Sequence, residues 1–450
     1  MINADNKNEN ARAEAKPLVI GLAGFGVVGG GLCQLLAENA DMIRKRSGRR
    51  IIVKKILVRN PDKARSVPLP EGAVLVRSSS ELIDDPEIEA VVELMGGIEA
   101  PFELLVQALK HGKHAVTANK ALLAELGLEI NRLARAKGRI LRYEASVAGA
   151  IPIISSLKES LTGNRVSSLI GILNGTSNYI LSEMTSRNME FSQALRQAQE
   201  LGYAEADPTL DIDGRDAAHK LVVLIRLAFG LDYPYSRLPV KGIRNLSALD
   251  IRFAREFGYR IKLLGQVKEI AADSEQGVAA GVFPALVPHN YLLARVGGAF
   301  NAVRVQANAA GPLFFHGKGA GALPTAGAVL ADLIAVAREE RPNNMGFFDA
   351  DLPVAKIIPD DDWRSAYYAR VMVDDTPGVL RDISGCMAAE GISVAQMIQK
   401  ADGETNGVPL VFMTHETTER AIRKALSRAL DAKLLREPAV YFRVMERDRE

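Results

Sequence analysis

The sequence predicts an α/β protein built from three units, and three observations carry that reading. Strand and helix patterns alternate over residues 17–150, the grammar of a parallel, doubly wound sheet. Near residue 151 the alternation gives way to Gly-interrupted helices and strands, read as an α+β substrate and dimerisation unit over 151–319. Residues 366–446 then run in the order βαββαβ. A chain of 450 residues has room for two to four domains at roughly 100–200 residues each.

Residues 1–16 are polar, rich in Asn, Glu and Ala, and read as a disordered tail with no apolar signal-peptide stretch. The first strand, Leu18 to Ala23, runs directly into Gly24-Phe25-Gly26-Val27-Val28-Gly29 and then a helical segment, Val28 to about Arg46. That strand, turn, helix context makes G-x-G-x-x-G a dinucleotide-binding signal of Rossmann type. Gly24 makes the tight turn, Gly26 lets a pyrophosphate approach the backbone, and Gly29 lets the helix lie against the strand. The alternative is a tight turn that binds nothing. Further strands are expected at Ile51–Val58, Ala90–Leu94, His114–Thr117 and Ile140–Ala145, with a helix near Pro101 to Lys110. The second strand ends in Arg59, with Lys63 nearby, where an NAD site carries an acid for the ribose hydroxyls. A cation there suits a 2′-phosphate, so NADP(H) is favoured over NAD(H); the competing reading is a solvated basic loop.

In the second unit the chemistry concentrates in Gly202 to Lys220, with five acids in the twelve residues from Glu205 to Asp216 ahead of the apolar run Leu221 to Ile225. Asp213 is expected as N-cap and Asp216 at the third helical position, both at the positive helix end. Lys220 falls one turn beyond Asp216 on the same face. A surface ion pair is the plain alternative, but a lysine entering an apolar helix points to a cleft, where its proton affinity is readily moved.

Residues 320–345 carry an Ala-rich helix that returns to the first unit, and 346–365 read as a linker. In the third unit the order βαββαβ is the ferredoxin-like arrangement, with Thr376 expected as N-cap and Pro377 at the first helical position. Its Asp375 to Leu380 turn resembles the D-x-P-G-x-L signature of ACT domains, modules that bind small amino acids. A ferredoxin-like domain without a ligand is the alternative.

At Gly202-Tyr203-Ala204-Glu205-Ala206-Asp207-Pro208 followed by Asp211 to Lys220, the chain resembles the homoserine dehydrogenase family. Thr117-Ala118-Asn119-Lys120, Leu173 to Tyr179 and Gly317-Lys318-Gly319-Ala320-Gly321 agree in the same order. The resemblance implies reversible hydride transfer between NAD(P)(H) and the pair L-homoserine and L-aspartate 4-semialdehyde, on the route to threonine and methionine. It implies that Lys220 handles the proton and that Lys120 helps bind substrate and cofactor. Glu205, Asp211 and Asp216 would order the substrate amino group, with Asn174, Gly175 and Thr176 beside it. Met95, Gly96, Gly319 and Gly321 would lie against the cofactor. A monovalent cation, Na⁺ or K⁺, maps to Glu144, Val147, Gly149 and Ile151, mainly through backbone carbonyls, or else that segment is an ordinary hinge loop. L-Threonine is the implied effector, its carboxylate on the helix N-terminus after Gly378 and its ammonium on Asp374 or Asp375. A homodimer or homotetramer is implied, and removal of everything after about Ala350 is expected to spare catalysis.

A net charge of +2, mixed along the chain, speaks against nucleic-acid and membrane partners. The two cysteines, Cys33 and Cys386, read as core fillers in a reducing, cytosolic compartment. No histidine pair has zinc-ligand spacing with a Cys or carboxylate partner. Two other classes stay open: an ACT-linked hydroxy-acid dehydrogenase, disfavoured by the N-terminal glycines, and a non-enzymatic amino-acid sensor, disfavoured by Lys120 and Lys220.

Overall fold

A computed structural model describes residues 15–65, 67–272, 275–339, 345–348, 351–400 and 407–445. The expected tail falls almost wholly on residues 1–14, outside the described residues. The chain divides into two compact units, residues 1–155 with 320–351 and residues 156–319 with 352–450.

Among the described residues of the first unit lies a six-stranded parallel sheet of β1 (Leu18–Ala23), β2 (Ile51–Leu57), β3 (Val74–Val76), β4 (Ala90–Glu93), β5 (His114–Thr117) and β6 (Leu141–Arg142), in the order β3-β2-β1-β4-β5-β6. All of β4 and all of β1 but Val19 are buried, as expected of strands covered by helices on both faces. The short strand β3 escaped the sequence reading because three residues carry no period. The helix expected as one piece from Val28 to Arg46 is two, Val27–Glu38 and Ala40–Ser47, broken at Asn39 where φ is −111°. The expected fifth strand shrinks to β6, and Glu144–Ser146 turns as a 3₁₀ helix instead. Helix Ala322–Ala337 belongs to this unit: a Cβ on Gly31 would lie 2.8 Å from the Ala322 carbonyl, so the two helices approach as only glycine permits.

Among its described residues the second unit holds one mixed sheet of ten strands: β7 (Val166–Ile172), β8 (Tyr259–Ala272), β9 (Glu275–Pro288), β10 (Phe300–Ala307), β11 (Gly311–Lys318), β12 (Arg364–Val373), β13 (Val394–Gln399), β14 (Val408–Thr414), β15 (Thr417–Thr418) and β16 (Val440–Val444). The order is β11-β10-β7-β8-β9-β16-β12-β14-β13, with β15 on β12. The βαββαβ segment is therefore not a detached bead. Strand β16 pairs in parallel with β9, Arg443 opposite Ala285, and continues the sheet. The expected linker contributes bridges too, Val354 with Asp232 and Ile357 with Val278. In this segment Gly378, at φ +97°, caps helix Val379–Ala389, so neither Thr376 nor Pro377 holds its expected place.

Candidate active site

In the first unit the three glycines of the turn meet three different demands. A Cβ on Gly24 would sit 2.6 Å from the Leu94 carbonyl, and one on Gly29 would sit 2.3 Å from the Gly24 carbonyl; one on Gly26 would meet nothing within 4 Å. The turn and the helix–strand approach thus exclude side chains, while the face at Gly26 opens onto a cleft of about 930 Å³. Phe25, Val27, Met95 and Gly96 line that cleft, and so do Arg59, Lys63, Arg65 and Arg77. Arg65 and Arg77 were missed from sequence, although Arg77 stands just past the end of β3, where α/β sheets hold ligands. Helix Val27–Glu38 begins beside the cleft and presents unpaired N–H groups and a positive dipole end to an anion. These residues fit a dinucleotide.

Lys120 is the first residue of helix Lys120–Ala136 and is half-buried. Asn119 caps that helix, its Oδ1 accepting from Leu122 N at 3.1 Å, a contact worth about 1 kcal/mol. The loop from Glu144 to Ile151 is buried apart from Ala150 and carries consecutive left-handed residues, Ala148 and Gly149, both at φ +56°. The Glu144 carboxylate accepts from Ile154 N at 2.9 Å and Ser155 N at 2.8 Å, and the Ile151 carbonyl accepts from Ile153 N. A carboxylate oxygen keeps further lone pairs when it accepts one bond, so this loop can serve either as a hinge or as a cation seat.

In the second unit one asparagine gathers the acids. Strand β7 ends at Ile172, and Asn174 caps helix Gly175–Arg187, its Oδ1 accepting from Ser177 N at 2.7 Å. Its amide donates to Asp211 Oδ1 at 2.6 Å and Asp216 Oδ2 at 2.8 Å. Lys220 Nζ donates to the same Asp216 oxygen at 2.7 Å and to the Leu173 carbonyl at 2.8 Å. Lys220 is only 9 % exposed, which removes the surface ion-pair reading. Burial first, and then the neighbouring Asp216 charge, push the Asp211 carboxyl above the usual aspartate range. Thr176 Oγ1 donates to the Tyr203 carbonyl at 2.6 Å, tying the acidic loop to this helix.

The expected helix positions of Asp213 and Asp216 need correction here. Gly214, at φ +82°, caps helix Arg215–Phe229, so Asp216 is its second residue, and Asp213 instead pairs with Arg244. A left-handed cap favours glycine, and Gly214 follows Asp213 directly. Glu205 lies exposed on the loop before Pro208, and its carboxylate makes no hydrogen bond or ion pair among the described residues. Gly319 packs against Asn301, where a Cβ would meet the amide at 2.2 Å, and Gly321, at φ +128°, caps helix Ala322–Ala337. In the βαββαβ segment Asp374 pairs with Arg436, and Asp375 is exposed. Among the described residues no group of three or more His, Cys, Asp or Glu side chains could hold a metal ion, and no helix is long and apolar enough to cross a membrane.

A glycine cradle with a basic cleft in one unit, and a buried lysine among carboxylates in the other, define an NAD(P)-dependent oxidoreductase carrying a small-ligand module. Residues 24–144 match the family model for the homoserine dehydrogenase NAD-binding domain, 152–334 that for homoserine dehydrogenase, and 367–431 that for the ACT domain. Homoserine dehydrogenase of Neisseria gonorrhoeae is 43% identical over 92% of this chain and 96% of its own length, and that of Pseudomonas aeruginosa 42% identical over 93% and 96%. A crystal structure of the enzyme from Thiobacillus denitrificans superposes with a TM-score of 0.89 at 43% identity, covering 96% of this chain and 98% of that one. A hyperthermophilic archaeal homoserine dehydrogenase in complex with NADPH covers 73% of this chain and 99% of its own at 25% identity and a TM-score of 0.59. The chain belongs to the homoserine dehydrogenase family.

Proposed function

We propose that the chain interconverts L-homoserine and L-aspartate 4-semialdehyde, with NADP(H) preferred over NAD(H), in the synthesis of threonine and methionine. The observation that carries this reading is the cluster in which the Asn174 amide ties two carboxylates, Asp211 and Asp216, together beside one ammonium, Lys220, which is bonded to Asp216. Such a cluster favours a second cation, and a substrate ammonium supplies it. Asn174 keeps both carboxylates turned toward that position, and exposed Glu205 on the adjoining loop can swing in to join them.

The bound dinucleotide supplies the hydride donor or acceptor, as nicotinamide cofactors do. The protein handles the proton. In reduction Lys220 Nζ gives a proton to the aldehyde oxygen as the C–H bond forms; in oxidation it takes the hydroxyl proton back. Its hydrogen bonds to Asp216 and the Leu173 carbonyl occupy two of its three N–H bonds and aim the third. Lys120, at a helix start, steadies substrate and cofactor in this reading. Arg59, with Lys63, Arg65 and Arg77 in the same cleft, supports a 2′-phosphate, and the archaeal relative seen with NADPH agrees. A monovalent cation at the Glu144–Ile151 loop and L-threonine at the turn Asp374–Gly378 complete the proposal, with pairing of ACT segments between copies as its oligomeric basis.

One experiment tests the whole: L-homoserine oxidation with NADP and NAD in parallel, with and without threonine, in Na⁺ and in K⁺. Faster turnover with NADP and inhibition by threonine are expected. Absence of homoserine-dependent reduction of either dinucleotide refutes the reading.

A further inference from the structure

The first unit buries a carboxylate that the proposed chemistry leaves unused. Glu93, the last residue of β4, is 0% exposed. Its Oε1 accepts from Met95 N at 2.7 Å and its Oε2 from Thr117 Oγ1 at 2.5 Å. Thr117 Oγ1 in turn accepts from Asn119 N at 3.0 Å, and Asn119 Nδ2 donates to the Gly97 carbonyl at 2.7 Å. These bonds close a ring from the exit of β4, through Met95 to Gly97, across to the exit of β5 and back. One side of the ring is the wall of the dinucleotide cleft; the other is the cap of the helix that begins with Lys120.

The donor directions matter. Thr117 gives its one hydrogen to Glu93 while its oxygen receives the Asn119 amide, and Met95 also points its N–H inward. Both bonds end on Glu93 oxygens as acceptors, of which a carboxylate offers two and a glutamine amide one. Burial alone raises the cost of that charge. A cost of this kind is retained where two segments must be held in fixed relation, since misplacing a reacting group by ~1 Å can lose about 10²-fold in rate.

We propose that Glu93 is a positioning residue for the reaction, holding the cofactor wall through Met95 and Lys120 through Thr117 and Asn119. This rests on the function proposed above for Lys120 and the cleft. The test uses the full chain with Glu93→Gln, Thr117→Val and Thr117→Ser, reading kcat, the homoserine KM, NADPH binding by fluorescence titration, and thermal melting. Glu93→Gln and Thr117→Val should each lower kcat about 10- to 100-fold, the range of lost orientation, and weaken NADPH binding measurably more than they raise the homoserine KM. Thr117→Ser, which keeps the hydroxyl, should restore both. Unchanged kcat and NADPH affinity in Glu93→Gln would overturn the proposal, whatever the melting temperature does. So would a Thr117→Ser variant as impaired as Thr117→Val, since packing and not the hydrogen bond would then be at work. If Glu93→Gln fails to fold, the Thr117 pair decides. A wild-type chain inert toward homoserine would refute the proposed function instead, and NADPH affinity would still decide this one.

Discussion

Two charge clusters among the described residues of the second unit are built differently. Around Lys220, the ionisable side chains joined through Asn174 and Leu173 are two carboxylates and one ammonium. Around Arg443, two cations meet two carboxylates. Arg443 Nη2 donates to Glu419 Oε2 at 3.0 Å and pairs with Asp360, while Lys241 Nζ donates to Glu419 Oε1 at 2.5 Å and Tyr367 OH to Glu419 Oε2 at 3.0 Å. Rings close over the Arg443 guanidinium, Trp363 at 4.5 Å and Phe283 at 4.6 Å, and its Nε and Nη1 find no hydrogen-bond partner among the described residues. Burial works against the Glu419 charge, but Lys241 and Arg443 hold its carboxyl below the usual range, whereas the Asp211 carboxyl is held above it. A balanced, lidded cluster ties segments together. One with a surplus carboxylate still attracts a cation, which is what separates a binding centre from a brace.

Replacing Lys220 with Ala should be the severest test of that contrast. Removal of the proton donor is expected to cost ~10²- to 10⁴-fold in turnover, by steady-state kinetics, with a near-wild-type circular dichroism spectrum. Activity within a few-fold of wild type would strip the first cluster of its role.

Arg443→Met is the converse. It leaves Glu419 and Asp360 buried without their shared cation, so urea unfolding should show a loss of about 3–5 kcal/mol. Well below the melting temperature kcat should hardly change; a collapse of kcat in a folded variant would make the brace part of the catalytic apparatus.

Asp211→Asn removes the surplus charge and keeps the shape. The homoserine KM should rise by one to two decades, the worth of a charge-assisted bond at ~1.5–3 kcal/mol, with a smaller change in kcat. Because the Asp211 carboxyl is raised, the wild-type KM should begin to climb on acidification at a higher pH than an ordinary aspartate would allow. A flat KM in the variant would mean that the ammonium is bound elsewhere.

Lys262 supplies a third kind of buried charge and the smallest effect. It donates to Asn178 Oδ1 at 2.9 Å and the Val296 carbonyl at 2.6 Å, both neutral, and burial lowers its ammonium to about 7. The unfolded lysine binds its proton up to about pH 10.4, so between pH 7 and that value the unfolded state carries more protons and stability rises with pH. Lys262→Met should flatten that rise relative to wild type in urea titrations at pH 7 and pH 9. Equal slopes would mean that water reaches Lys262.

Periodicity and turn chemistry, which act over a few residues, made much of this protein legible in advance. β1, the glycine turn and helix Arg215–Phe229 follow from contiguous apolar runs and from the spacing of the glycines. The same local rules placed Lys220 against Asp216, because residues four apart on a helix must meet. They failed where local signals compete: Asp213 and Thr376 are good caps by type, yet a following glycine that can turn left-handed took the position in each case. Asn174, 42 residues before Asp216, is brought to the acids only when β7 enters the sheet. The Glu93 ring needs β4 and β5 side by side, and Arg65 and Arg77 reach the cleft only once the second and third strands align. Nor does sequence show that β16 joins β9, which makes the ACT segment part of the sheet. Truncation near Ala350 would therefore expose a strand edge and leave buried Asp250 without Arg370, which donates to it at 2.7 Å. Local interactions are decided by neighbours along the chain; which distant strand fills a sheet position is decided by burial of the whole apolar surface, and only the folded chain carries it out.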